Sequence, residues 1–266
     1  MRTALVTEYR KLVTTRLWWI LLASMGAYML VLGGVFAFSF TTSGATTGLG
    51  DGGELAPRAV ALAVYTLATS VGYVFPVVVG ALSVSGEVRH HTLTPTFLAE
   101  PRRGVVLTAK MIASLPIGAA FGAVGTLATV GTAAGVLAAR GHETFLGDAA
   151  MLRTIAMSVV ALALWCGVGV GVGAVLTNQV AAVVVLLAFT QLVEPLLRIV
   201  LAMWDTTSSV AKFLPGAAGE AITGGSFYSS AGVPLLAAWQ GLLVLSAYGL
   251  VLASIGHRTT LRRDIT

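Results

Sequence analysis

Charge is scarce in this sequence. Only 10% of its 266 residues are Asp, Glu, Lys or Arg, against 56% hydrophobic, whereas a water-soluble domain carries about 25% charged residues. Such a chain has too little polar surface to cover itself in water, so an ordinary soluble domain is excluded. The mean hydropathy of +0.89 agrees. Cysteine is nearly lacking: Cys166 stands alone, so neither an internal disulfide nor a cysteine-pair metal site can form. There is no G-x-x-x-x-G-K-[ST] phosphate loop, so ATP, if it drives this protein, must bind to another chain. There is no H-E-x-x-H either, and the adjacent His90 and His91 have no Cys or acid at ligand spacing, which leaves no metal site to propose.

What is there is a set of long uncharged runs separated by charged islands. A helix rises about 1.5 Å per residue, so about 20 apolar residues cross the hydrocarbon layer. The runs are apolar all round and far longer than the roughly ten alternating residues of a barrel strand. An all-α, polytopic membrane protein follows. The run 154–193 would make one helix about 60 Å long, twice the hydrocarbon thickness. The polar triplet Thr177-Asn178-Gln179 near its middle is the natural turn. Splitting there predicts six spans in a single transmembrane domain over 1–266, near 17–40, 59–84, 108–138, 154–176, 180–204 and 233–256. The first sixteen residues predict an amphipathic helix on the membrane surface, with Met1, Leu5, Tyr9 and Leu12 on one face and Arg2, Arg10 and Lys11 opposite.

With the N-terminus inside, eleven Lys and Arg residues fall on the cytoplasmic side and five on the other, while acids divide four to seven. Basic residues beside spans favour the cytoplasm, so both termini are expected there. The connection 205–232 is then extracellular. Its apolar residues Val210, Phe213, Leu214 and Ala217 recur around Pro215 and predict a short interfacial or re-entrant helix.

Gly167, Gly169, Gly171 and Gly173 have the look of a nucleotide loop, but they lie inside an apolar span. There, i, i+4 glycines make small faces for close helix packing, as do the pairs Gly118/Gly122 and Gly131/Gly135. Gly224-Gly225-Ser226 resembles a serine-protease Gly-x-Ser, yet no histidine lies in a neighbouring span to act as base, so no catalytic residue is assigned. Glu194 and Arg198 are the one ionisable pair near a span. At i, i+4 they read either as an interfacial ion pair or as an outer gate on a substrate path. Pro195 between them predicts a kink. The cytoplasmic loop 85–104 contains Thr94-Pro95, a helix-start pair, and Pro101, a stop. A short helix there, tied to two spans, suits a lever worked by a partner.

At this point the sequence resembles the permease subunit of ABC-2 type exporters. The recurring loop pattern of that family is Glu-x-x-x-Gly-Thr, an apolar stretch, Pro-x-Arg, and a Lys opening the next span. This chain has Glu87, Thr92, Pro101, Arg103 and Lys110 in matching places, and departs at His91, where glycine is usual. The opening Glu8-Tyr9-Arg10-Lys11-Leu12, followed by Arg16-Leu17-Trp18, resembles the family's amphipathic helix leading into span one. Phe213-Leu214-Pro215 is a weaker echo.

The resemblance implies a permease of an ATP-driven exporter in a bacterial plasma membrane. It would pair with a second permease copy or paralogue and bind a separate cytoplasmic ATP-binding-cassette subunit. ATP-Mg would sit on that partner, no cofactor on this chain, and nucleic acid would not be a partner; membrane lipids surround the spans. It places Glu87, Arg89, Thr92 and Arg103 at the coupling contact and Lys110 among the inner headgroups. The competing expectations are an ion-gradient-driven secondary transporter and a non-transporting assembly or immunity protein.

Overall fold

The structure is a computed structural model that describes residues 1–42, 56–203, 209–225 and 235–259. Parts of the 205–232 connection, Ser226 among them, lie outside those residues. Among the described residues every regular element is a helix. They are α1 (Arg2–Thr14), α2 (Arg16–Thr42), α3 (Pro57–Tyr65), α4 (Leu67–Ser70), α5 (Val74–Arg89), α6 (Leu93–Ala99), α7 (Arg103–Ala139), α8 (Ala149–Val175), α9 (Gln179–Ala188), α10 (Glu194–Ala202), α11 (Pro215–Thr223) and α12 (Ala238–Thr259), with a π-turn Phe189–Val193 joining α9 to α10. The end of the bundle that holds α1 and α6 is the basal end below; the other is the distal end.

Among the described residues five helices are long and apolar enough to cross a membrane: Arg16–Thr42, Arg103–Ala139, Ala149–Val175, Gln179–Leu201 and Ala238–Thr259. The chain is a helical, multi-pass membrane protein. The hairpin expected at 177–179 is present, and Asn178 caps α9 by accepting from the Val180 and Ala181 N–H groups. The run 59–84 does not form one helix. It is broken into α3, α4 and α5, with Thr66 and Thr69 at the first break bonding their hydroxyls to the Leu62 and Thr66 carbonyls. Pro76 then sits in the first turn of α5, where its missing N–H costs nothing. The broken stretch is buried in protein from Val60 to Ser70 apart from Leu62, so its irregular backbone is not exposed to lipid.

The glycines account for the closeness of the bundle. A methyl on Gly80 would collide with the Cys166 carbonyl, and methyls on Gly169 and Gly173 with the Val77 and Ala81 carbonyls. The backbones of α5 and α8 therefore touch. Gly171 faces the other way, where a Cβ would lie 2.8 Å from the Gly249 carbonyl of α12. Gly118 and Gly122 do the same for α7 against α8. The packing read from the sequence holds at these positions. It does not hold within the chain at Gly131 and Gly135, where nothing lies within 4 Å and both are exposed. The core around these contacts holds Met25, Met29, Tyr73, Phe121 and Trp165.

The helix Pro215–Thr223 is buried along its whole length. Its Thr223 carbonyl accepts from Thr154 near the distal start of α8, and Gly219 lies against the Trp165 ring near the middle of α8. It is therefore inserted into the bundle, the re-entrant form of the sequence expectation. Val210 and Phe213, expected on its apolar face, are exposed ahead of it instead.

Because the α5–α8 backbones are in contact, Gly80→Val is expected to destabilise by roughly 1–3 kcal/mol or more, while Gly131→Ala, with open space around it, is expected to cost nothing and to stabilise by up to about 1 kcal/mol. Thermal unfolding of the detergent-solubilised variants checks both.

Candidate functional site

Two clusters of buried charge stand out in this apolar bundle, and each joins helices that are distant in sequence.

The basal cluster is built on Lys110, seven residues into α7. Its side chain is 4% exposed. It contacts Glu8 of α1, lies 2.7 Å from Glu87 Oε1 of α5, and donates to the Ser83 carbonyl at 3.2 Å. Lys11 completes the set, donating to Glu8 Oε1 at 2.8 Å, Glu87 Oε1 at 3.1 Å and Thr96 Oγ1 of α6 at 2.9 Å. Two lysines and two glutamates thus tie α1, α5, α6 and α7 together. Burial works to lower the Lys11 pKa, but the hydrogen bond to Glu8 and the charges of Glu87 and Glu8 outweigh it, so the net shift is upward. The ammonium stays charged across the physiological range.

The geometry corrects two sequence expectations. Lys110 is not a headgroup anchor; it is buried between two carboxylates. The packed face of α1 keeps Leu5 and Leu12, both half-buried, with Leu12 against the core, but Met1 and Tyr9 are 52% and 43% exposed, and Glu8 and Lys11, the latter expected opposite, take part in its place. Helical spacing of 3 and 4 sets Glu8 and Lys11 on the face that docks.

The four predicted coupling residues divide. Glu87 is in the ionic cluster. Thr92 adjoins it, its backbone N–H donating to the Glu87 carbonyl at 3.0 Å, and precedes α6 without a side-chain capping bond. Arg89 points away and reaches only Gln179 Oε1, at 3.4 Å. Arg103 begins α7 with its guanidinium over the Phe97 ring, 5.1 Å from the centroid. His91, at φ 53°, adopts the left-handed conformation that glycine takes without strain. Glu100 and Arg102 form an exposed pair, and the Arg102 hydrogen bond holds the Glu100 carboxyl below its usual range.

The second cluster is Glu194, Arg198 and Glu220. All three are buried within the protein, so the expected Glu194–Arg198 pair is present with a second carboxylate beside it and does not extend to the protein surface. Arg198 donates to Glu194 Oε1 through Nη2 at 2.8 Å and to Glu220 Oε1 through Nη1 at 2.9 Å. Glu194 Oε1 also accepts the Gly216 and Ala217 N–H groups at 2.6 and 3.3 Å. It therefore sits at the N-terminus of α11, where the helix dipole and free N–H groups favour an anion. Gly216 is required here, because a side chain would collide with the Arg198 guanidinium and the Glu194 carboxylate. The predicted kink at Pro195 takes the form of the π-turn: the Glu194 N–H bonds back to Phe189, and the wider turn relieves the clash of the proline ring with the preceding turn. Tyr73 locks this turn by donating to the Thr190 carbonyl at 3.0 Å, and stacks on Trp165 with centroids 4.4 Å apart.

Sequence reasoning missed Glu8 and Lys11 as partners of Glu87, and missed Glu220. A charged residue on the apolar-periodic face of α1 was the available signal for Glu8. The only signal for Glu220 was an isolated acid in an otherwise uncharged stretch, 213–223.

No protein-family model matches this chain, and no characterised protein matches its sequence.

Removing one partner of a buried ion pair leaves the others uncompensated. Lys110→Met is therefore expected to cost roughly 3–5 kcal/mol, with Arg10→Met, at an exposed site on α1, as the near-neutral control. Denaturant unfolding in detergent measures the difference.

Proposed function

We propose that this protein is the membrane-spanning permease subunit of an ATP-driven exporter of the ABC-2 type. In this reading the broken α3–α5 stretch is the sixth span, both termini face the cytoplasm of a bacterial-type cell, and two permeases form the path. The ATPase is a separate chain that binds at the basal end, against the loop 85–104.

The observation that carries the reading is the tie between α6 and the basal cluster. Lys11 holds Thr96 of α6 and Glu87 of α5 at once, and Glu87 and Glu8 share Lys110 with α7. A displacement of α6 is thereby passed to three other helices through short charged contacts. The free side of α6 offers a place to push: Leu98 is 79% exposed at the basal end. Arg89 and Thr92, also exposed, lie on the same connection, and Arg103 holds the far end of α6 through Phe97. The missing phosphate loop assigns ATP to the partner.

A secondary transporter is the second reading, favoured by one observation: two carboxylates buried with one guanidinium beside a re-entrant helix. Ionisable groups at discontinuous helices are the usual build of ion-coupled sites.

Co-purification separates the two. The chain is expected to bring down a phosphate-loop ATPase. Leu98→Asp, which leaves the fold intact, is expected to lose that partner, and Glu87→Ala to keep it with ATP hydrolysis no longer stimulated. Transport by the purified chain alone in proteoliposomes, driven by a proton gradient and lost in Glu220→Gln, contradicts the exporter reading.

A further inference from the structure

Helix α1 has more than its docked face. Leu5, Glu8, Lys11 and Leu12 turn towards the bundle. Val6, Tyr9 and Val13, at i, i+3 and i+7, form a second strip, and all three are exposed. Thr3, Thr7, Arg10 and Thr14, at i, i+4, i+7 and i+11, form a third strip, exposed as well. At 3.6 residues per turn the apolar strip borders the docked face beside Leu5 and Leu12, and the threonine strip borders it beside Lys11. The helix is divided lengthwise into a docked, an apolar and a polar sector.

Continuity and charge together say what covers the apolar sector. Past Thr15, whose extended backbone makes the bend, α2 enters the membrane with Leu17, Trp19 and Ile20 exposed. The Trp18 indole donates to the Val13 carbonyl at 2.8 Å across that bend. The exposed apolar surface of a spanning helix faces lipid, and the strip on α1 leads straight into it. Arg2, Arg10 and Arg16 are exposed and make no ion pair among the described residues. Glu8 is the only acid in the first 50 residues, and it is buried against Lys110. The charge on the outer surface of α1 is therefore all positive. Three apolar side chains fall far short of the roughly 20–30 residues a side of a stable protein interface. With arginines around them they are the build of a helix lying in the headgroup layer.

We propose that the outer surface of α1 binds anionic phospholipid. Val6, Tyr9 and Val13 sink into the boundary between headgroups and acyl chains, the threonine strip stays in water, and the three guanidiniums hold negatively charged headgroups. One arginine beside an anionic surface favours it about fivefold. Lipid and the Glu8–Lys110 contact then hold different sides of one helix. The arginines have no charged partner within the chain, so their loss costs nothing in neutral detergent and shows only where anionic lipid is present. The inference rests on α2 crossing the membrane and not on the exporter reading.

The test uses the full chain in phosphatidylcholine nanodiscs, with the fluorophore NBD attached to Val6→Cys or, separately, to Thr7→Cys. Cys166 is fully buried and takes no label. A lipid with a nitroxide near the top of its chain quenches NBD at the headgroup boundary, and iodide quenches it in water. Nitroxide phosphatidylglycerol is expected to quench the Val6 label about threefold or more strongly than nitroxide phosphatidylcholine at the same mole fraction. With Arg2→Gln, Arg10→Gln and Arg16→Gln combined, the two lipids are expected to quench it equally. The Thr7 label is expected to respond to iodide and to neither lipid. Should the triple variant fail to fold, loss of the preference at high salt in the Val6→Cys protein decides the matter. Equal quenching by the two lipids overturns the proposal, as does a preference that survives the triple variant. So does a Val6 label that iodide reaches as well as it reaches the Thr7 label. A Val6 label that neither quencher reaches also overturns it, and assigns the strip to a protein partner such as a second copy of the chain.

Discussion

Lys110 lies where an apolar bundle has least tolerance for it, and its neighbours follow from that. A buried ammonium is stable only with opposite charge and full hydrogen bonding around it. Glu87 supplies one charge from α5, but it is shared with Lys11. Glu8 supplies the other, and Glu8 is on a helix outside the five long apolar ones. So α1 is held against the bundle by an electrostatic requirement rather than by the weak amphipathicity of its sequence. The same requirement ties the loop helix α6 to the cluster through Lys11 and Thr96. The basal end thus acts as one unit, although its parts are up to 102 residues apart in the chain.

The rest of the bundle solves a different problem with different means. Between α5, α8 and α12 closeness comes from glycine. Where lipid replaces water, apolar side chains gain little by meeting each other, and dense backbone contact takes over. The Glu194–Arg198–Glu220 group is the exception inside this region. Its carboxylate at the start of α11 supplies the acceptor that the first N–H groups of a buried helix need. The π-turn before it and the Tyr73 hydroxyl on that turn hold α10 in position for this contact. Charge here supports an irregular backbone, as it does at the basal end for a docked helix.

Much of this was legible in the sequence, and what was not failed for physical reasons. Uncharged runs located the five long helices, because crossing hydrocarbon needs length and apolarity alone. Asn178 located the hairpin, since a capping residue between two apolar runs has few other uses. The glycine series of α8 located a packing surface. The break at 66–73 escaped because averaged hydropathy does not register a change of helix direction within an apolar run; Pro76 inside the run was the mark of a new helix start. The docked face of α1 was read only in part, as Leu5 and Leu12, because the partner that buries Glu8 is about a hundred residues away. Of the candidate site, Glu87, Thr92 and the Glu194–Arg198 pair were found, but Glu8, Lys11 and Glu220 were assigned no partner, because pairing between distant segments leaves no local pattern.

The claim on which this account rests is that the Glu8–Lys110 contact holds α1 to the bundle. Hydrogen–deuterium exchange of the chain in nanodiscs tests it directly. The account predicts that amides of Arg2–Thr14 exchange as slowly as those at the basal end of α7, and that Glu8→Ala accelerates α1 by about tenfold or more, and α1 more than any other helix. Fast exchange throughout α1 in the unsubstituted protein, or protection that Glu8→Ala leaves unaltered, would contradict it.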